Sequence, residues 1–229
     1  MTKKIVSIIL LIIGISAGII FLFLNNGVYT IPKIILKVIP TLMMCIWLIM
    51  MIMDKSNWMI FVGLVFSMLC DIFMVFDGNI FLVAGILANI LALIFYIIYF
   101  IHSDKSLDIV RVVPFVIVMG VIYYILFDYL GELKIPVLVY CIIYIVFMWR
   151  SAARLGDPGI SETSQYVCFI GSTLITVSDA LLSALLFNVL PQGSKYGNMV
   201  MILWWSGLFL LMITAEIKRK GNLTSIFDE

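Results

Sequence analysis

Two aspartates interrupt long apolar runs. Asp71 closes the stretch GLVFSMLCD at 63–71, and Asp179 lies inside GSTLITVSDALLSALLFNVL at 171–190. If these runs are membrane helices, an aspartate near the helix centre costs roughly 2.5–3.5 kcal/mol on insertion scales, so a retained acid faces a bundle interior or a watery cavity. Two such carboxylates can do specific chemistry. One, kept neutral, can donate a proton; the other, kept ionised, can stabilise a developing cation; a dry setting and a neighbouring like charge separate the two roles. The same pair could also relay protons or ions across a membrane.

The neighbours fit a polar helix face. Ser67 stands four residues before Asp71, and Thr176 and Ser183 stand three before and four after Asp179, spacings that bring hydroxyls onto the acid's side of a helix. Ser178, adjacent to Asp179, joins the candidate set. The plainer reading is a polar seam, with Ser, Thr and Asp hydrogen-bonding between helices. Lys37, about one turn inside the second apolar run, either snorkels to the headgroups or partners an ionised Asp or a lipid phosphate. The other acids, Asp104, Asp108 and Asp157 among them, fall at run ends or in connections, where solvation is expected to account for them.

Several chemistries are disfavoured by the residues present. The chain has one histidine, His102, expected at the interfacial end of the fourth run, so a histidine-rich metal centre and a Ser–His–Asp nucleophile have no base to build on. No glycine loop of the phosphate-cradling kind occurs. Cys45, Cys70, Cys141 and Cys168 each lie in apolar sequence without ligand-like spacing and read as buried thiols. Neither a metal nor a cofactor is expected.

The elements that must position the acids follow from composition. Of 229 residues, 64% are hydrophobic and 12% charged, against about 45–50% and about 25% in a soluble domain. The expected class is therefore all-α: a polytopic transmembrane helical bundle forming a single domain over 1–229. Eight runs can span a bilayer, at 5–24, 32–53, 58–76, 79–101, 112–130, 135–149 (extending toward Leu155), 165–190 and 197–217. The first resembles a signal peptide but is too long and lacks a closing A-x-A, so it reads as a membrane helix. With a cytoplasmic N-terminus, ten basic residues (Lys3, Lys4, Lys55, Lys105, Arg111, Arg150, Arg154, Lys218, Arg219, Lys220) lie inside and four (Lys33, Lys37, Lys134, Lys195) outside. Both termini are accordingly expected in the cytoplasm. The net charge of +1 gives no reason to expect a nucleic-acid partner, and no obligate protein partner is evident. Asp71 and Asp179 each follow a glycine by eight residues on runs of the same direction. That echo reads either as a duplication of four helices or as coincidence among apolar letters.

The stretches LKVIP (36–40), FSMLCD (66–71), IPVLVYCIIYIVFMWRSA (135–152) and GSTLITVSDALLSALLF (171–187) together resemble the YhhN-like lysoplasmalogenases, multi-pass membrane proteins of about eight spans. The resemblance covers most of the chain. It implies an ether hydrolase that cleaves the vinyl ether bond of lysoplasmalogens, releasing a fatty aldehyde and a glycerophospho-alcohol. It makes Asp71 and Asp179 the catalytic pair and adds Tyr96 and Tyr140 as substrate-site residues. It also implies a lysophospholipid-like membrane substrate and a multi-pass location, with a bacterial cell membrane expected. The chain departs from the family at Leu93, where a His three residues before the Tyr is usual, and at Leu208, where a Gln is usual; Trp204 or Trp205 stands where a Tyr is common. Loss of these polar groups points to altered rate or substrate, or to an inactive relative.

The resulting expectation is one interior cavity holding both carboxylates, lined by Ser67, Thr176 and Ser183, with Lys37, Tyr96 and Tyr140 near its wall. Two other functions compete: a proton- or ion-coupled transporter, and a lipid-binding relative without chemistry. The transporter lacks the Gly/Pro-broken pair of spans expected at a midplane site.

Overall fold

A computed structural model describes residues 2–24, 30–52, 57–104, 107–191 and 193–220. Asp54, Lys55 and Lys105, charges that entered the sequence reading, lie outside them, as do the side chains of Lys3, Lys4, Glu216, Lys218, Arg219 and Lys220. Among the described residues, eight α-helices follow in order: α1 (Thr2–Leu24), α2 (Thr30–Ile52), α3 (Trp58–Phe73), α4 (Asn79–Ser103), α5 (Val113–Leu126), α6 (Lys134–Ala153), α7 (Glu162–Leu186) and α8 (Ser194–Lys220). Short 3-10 turns at Ile109–Val112 and Phe127–Tyr129 extend α5 at both ends, and no strand occurs among the described residues. Seven of the helical runs are long and apolar enough to cross a membrane; the 16-residue α3 is the shorter apolar helix. The chain is a polytopic helical membrane protein.

The helix ends differ from the hydropathy runs where polar residues punctuate them. The third run was expected to reach residue 76, but α3 ends at Phe73. The chain then turns through Gly78, whose φ of +117° suits a residue without a Cβ. The seventh helix starts at Glu162, ahead of the apolar run, because the Ser161 side chain accepts a hydrogen bond from Ser164 N at 3.3 Å. It stops at Leu186, and Asn188 takes a positive φ of 57° just beyond.

The helices group into two compact units. The first holds residues up to Tyr99 and from Met212 onward; the second holds Phe100–Leu211. The chain therefore passes from one unit to the other within α4 and again within α8. In the first unit α2 packs against both α1 and α3, and Trp47 Nε1 donates to Ser7 Oγ at 3.0 Å to join α2 to α1. The α3–α4 contact depends on Gly63, because the Tyr96 ring occupies the space a Cβ would need.

In the second unit α6 packs against α5 and α7. Its α7–α8 contact is close: a Cβ on Gly207 would lie 2.6 Å from Ile175 Cγ1 and 2.8 Å from the Gly171 carbonyl oxygen. The α6–α7 connection is tied down by polar groups. Gln165 Nε2 donates to the carbonyls of Asp157 (2.7 Å) and Ile160 (2.8 Å), and its Oε1 accepts from Gly156 N at 2.7 Å. Arg111 donates to the carbonyls of Ala152 (2.7 Å) and Leu155 (2.6 Å), closing the C-terminal end of α6.

One expectation about surface charge is corrected here. Arg150 and Arg154, counted as topology charges at a segment end, are buried. Arg150 donates to the Asp104 backbone carbonyl, while Arg154 donates to Ser164 Oγ at 3.3 Å and stacks over Phe100. Asp104, expected in water, is buried beside them. A guanidinium's several donors let it satisfy helix-end carbonyls that water would otherwise serve.

Candidate functional site

Each acid is built by the helix before it within its own unit. In the first unit α2 lies against α3 and carries Lys37 to Asp71. The Lys37 ammonium is 3.3 Å from Asp71 Oδ1, and Lys37 Nζ also donates to the Asp71 backbone oxygen at 3.2 Å. Both residues are buried, Asp71 at 4% exposure and Lys37 at 8%. The double contact has a local cause. Asp71 sits in the last turn of α3, where carbonyls lack a next-turn N–H. The Cys70, Ile72 and Phe73 carbonyls accept from Met74, Val75 and Phe76, and the Asp71 carbonyl accepts from Lys37. A cation is also favoured at a helix C-terminus. Of the two readings for Lys37, partnership with an Asp is the one realised.

One turn before Asp71, Ser67 Oγ pairs with Tyr96 Oη at 3.0 Å. Both are buried, and Gly63 makes the space in which the Tyr96 ring lies. Sequence spacing selected Ser67 and resemblance selected Tyr96; the fold joins them on the Asp71 helix.

In the second unit α6 supplies two phenols to Asp179 on α7. Tyr140 Oη donates to Asp179 Oδ2 at 2.6 Å, and Tyr144 Oη donates to the same oxygen. Asp179 is 6% exposed and Tyr144 is buried, whereas Tyr140 is half-buried. The two rings meet edge to face, with centroids 5.0 Å apart. Their i, i+4 spacing places both on one side of α6. Tyr144 escaped the sequence reading; that spacing from Tyr140 was the signal that could have found it.

The remaining candidates take other places. Thr176 Oγ1 donates back to the Ser172 carbonyl at 2.8 Å, the local bond a helical threonine commonly makes. Ser178 Oγ donates to the Val200 carbonyl at 2.9 Å and so fastens α7 to α8. Ser183 is half-buried one turn beyond Asp179. Leu93 and Leu208 are fully buried. His102 lies exposed in the last turn of α4, and all four cysteines are buried. No group of three or more His, Cys, Asp or Glu that could hold a metal occurs among the described residues.

The arrangement offers two buried carboxylates in unlike company, one bound to an ammonium and one to phenols. A family model described as the YhhN family matches residues 32–215, a span that includes every candidate residue named above. No curated protein and no solved structure matches the chain.

Proposed function

Because the chain belongs to the YhhN family, we propose that it is a membrane ether hydrolase, cleaving the vinyl ether bond of lysoplasmalogens to a fatty aldehyde and a glycerophospho-alcohol. The observation that carries the reading is the pair of buried acids with different partners: Asp71 on Lys37, and Asp179 on Tyr140 and Tyr144. Burying carboxylates is costly, and hydroxyls alone would join helices at lower cost.

The reaction asks for what two such acids supply. A proton goes to the alkenyl carbon remote from the ether oxygen, leaving an oxocarbenium ion. Water adds to that ion and returns a proton to the acid. The hemiacetal then collapses, its hydroxyl proton leaves, and the departing oxygen is protonated to the alcohol. Neither a protein nucleophile nor a redox step enters. A neutral acid and an anion facing a developing cation are the division of labour used in glycoside hydrolysis.

The test is aldehyde release by purified protein from lysoplasmalogens of several head groups. Release in wild type, lost in Asp71→Asn and Asp179→Asn, supports the reading; none from folded wild type overturns it. The buried Lys37–Asp71 pair favours one second reading, a proton-coupled carrier, since intramembrane ion pairs mark such paths. Proton flux in liposomes that is lost in Asp71→Asn, without aldehyde release, would favour it.

A further inference from the structure

A buried stripe runs along each acid-bearing helix, and the acid ends it. On α7 buried residues recur at helical spacing through Ser164, Cys168, Ser172, Ile175 and Asp179. Beyond Asp179 the stripe stops. Residues 180–184, more than one full turn, are all half-buried, and Ser183 on the acid's own side is among them. On α3 the stripe runs from Ile60 through Gly63 and Ser67 to Asp71, and residues 72–75 are half-buried after it. The opposite end of the second unit is closed. Buried Arg150 and Arg154 donate to the Asp104 carbonyl and the Ser164 hydroxyl, and Gln165 donates to the carbonyls of Asp157 and Ile160. Cys168, one turn inside that end, is fully buried.

The ends of α3 and α7 lie at one membrane face. Four runs long and apolar enough to span, those of α4 to α7, separate them, and an even number of crossings returns a chain to the same side. One further span, that of α8, leads from there to the C-terminus. A cytoplasmic C-terminus, which the basic residues predict, therefore places this face outside.

We infer that substrate reaches Asp179 from the non-cytoplasmic leaflet, entering at the end where α7 finishes, past Ser183 and half-buried Tyr140. The nature of the lipid rests on the hydrolase reading; the direction of approach does not. The position of the scissile bond favours the same leaflet. In a lysoplasmalogen the vinyl ether is joined directly to the glycerol, so it lies at the boundary between head groups and hydrocarbon. Asp179 stands seven residues before the end of α7 and seventeen after its start, about 10 Å and about 25 Å along a helix. Asp71 stands two residues before the end of α3. A lipid of the near leaflet brings its ether to this level. One in the opposite leaflet holds it a hydrocarbon thickness away, about 30 Å.

Two measurements on right-side-out spheroplasts and inverted membrane vesicles of an expressing bacterium test this. The first uses a charged, membrane-impermeant thiol reagent, with the labelled residue read by peptide mass. Ser183→Cys should be labelled in spheroplasts and not in inverted vesicles, and native Cys168 in neither. Labelling of Ser183→Cys from the cytoplasmic face, or from neither face, overturns the route. Labelling of Cys168 from the cytoplasmic face overturns the closed end. If Ser183→Cys does not fold, Ala184→Cys of the same half-buried turn serves with the same outcomes. The second uses wild type and lysoplasmalogen added below its micellar concentration. Initial aldehyde release is expected with spheroplasts and should be lost with inverted vesicles; equal or faster release with inverted vesicles overturns the leaflet. No release from either removes the hydrolase reading, and the labelling still decides the direction of approach.

Discussion

At Asp71 one ammonium meets both the side chain and the backbone carbonyl of the same residue, so Lys37 is an electrostatic partner and a helix cap together. Removing one member of a buried ion pair costs about 3–5 kcal/mol, whereas removing both charges is far better tolerated. Lys37→Met should therefore lower the thermal unfolding midpoint of the purified protein markedly, and Lys37→Met with Asp71→Asn should recover part of the loss. Additive losses in the double variant would show that the two residues stabilise the protein independently. For turnover, Asp71→Asn and Asp179→Asn should each reduce aldehyde release about 100- to 10,000-fold, the usual worth of acid catalysis. Ser67→Ala and Ser183→Ala should cost much less, since a hydroxyl near the acid orients without delivering a proton. Proton transfer to carbon also predicts slower release in D2O. Equal rates in the two solvents would remove that step from rate control.

At the scale of elements, glycine sets how closely helices approach. A methyl at Gly63 would occupy the space of the Tyr96 ring, and one at Gly207 would press on Ile175 and the Gly171 carbonyl. Overpacking of this kind costs about 1–3 kcal/mol. Gly63→Ala and Gly207→Ala should each lower the unfolding midpoint, and Gly63→Ala should also displace Tyr96 from Ser67. Gly120 of α5 supplies the contrast, because nothing lies within 4 Å of an added Cβ there. Gly120→Ala should be neutral or stabilising by up to about 1 kcal/mol, through helix propensity alone. Thermal unfolding of all three in one detergent orders them, and an equal effect at Gly120 and Gly207 would refute the packing account.

For the whole molecule the open quantity is orientation. The basic residues predict cytoplasmic ends, and the fold has withdrawn Arg150 and Arg154 from the surface. Their burial does not remove them from the count, since charge acts on topology during insertion, before the helices pack. Reporter fusions at Lys220 and near Lys195, on either side of α8, should therefore report opposite faces, with Lys220 cytoplasmic. The same face for both would remove α8 as a span.

The helical class, the eight elements and the two exceptional acids were legible in the sequence, because lipid forces each span to satisfy its own backbone and to be apolar over about 20 residues. These are local properties, readable residue by residue. Ser67 and Thr176 could be selected by helical spacing for the same reason, but what their hydroxyls would bond could not. Partners lie on other helices, and contact across a helix pair depends on rotation, depth and the room a glycine leaves. Only the tertiary structure decided that Lys37 turns to Asp71 instead of the headgroups, that Tyr144 joins Tyr140 on one oxygen of Asp179, that Arg111, Arg150 and Gln165 serve backbone carbonyls, and that Arg154 serves the Ser164 hydroxyl. A charge that must be buried takes whichever partner the packing brings within reach, and packing is not written in any single run of residues.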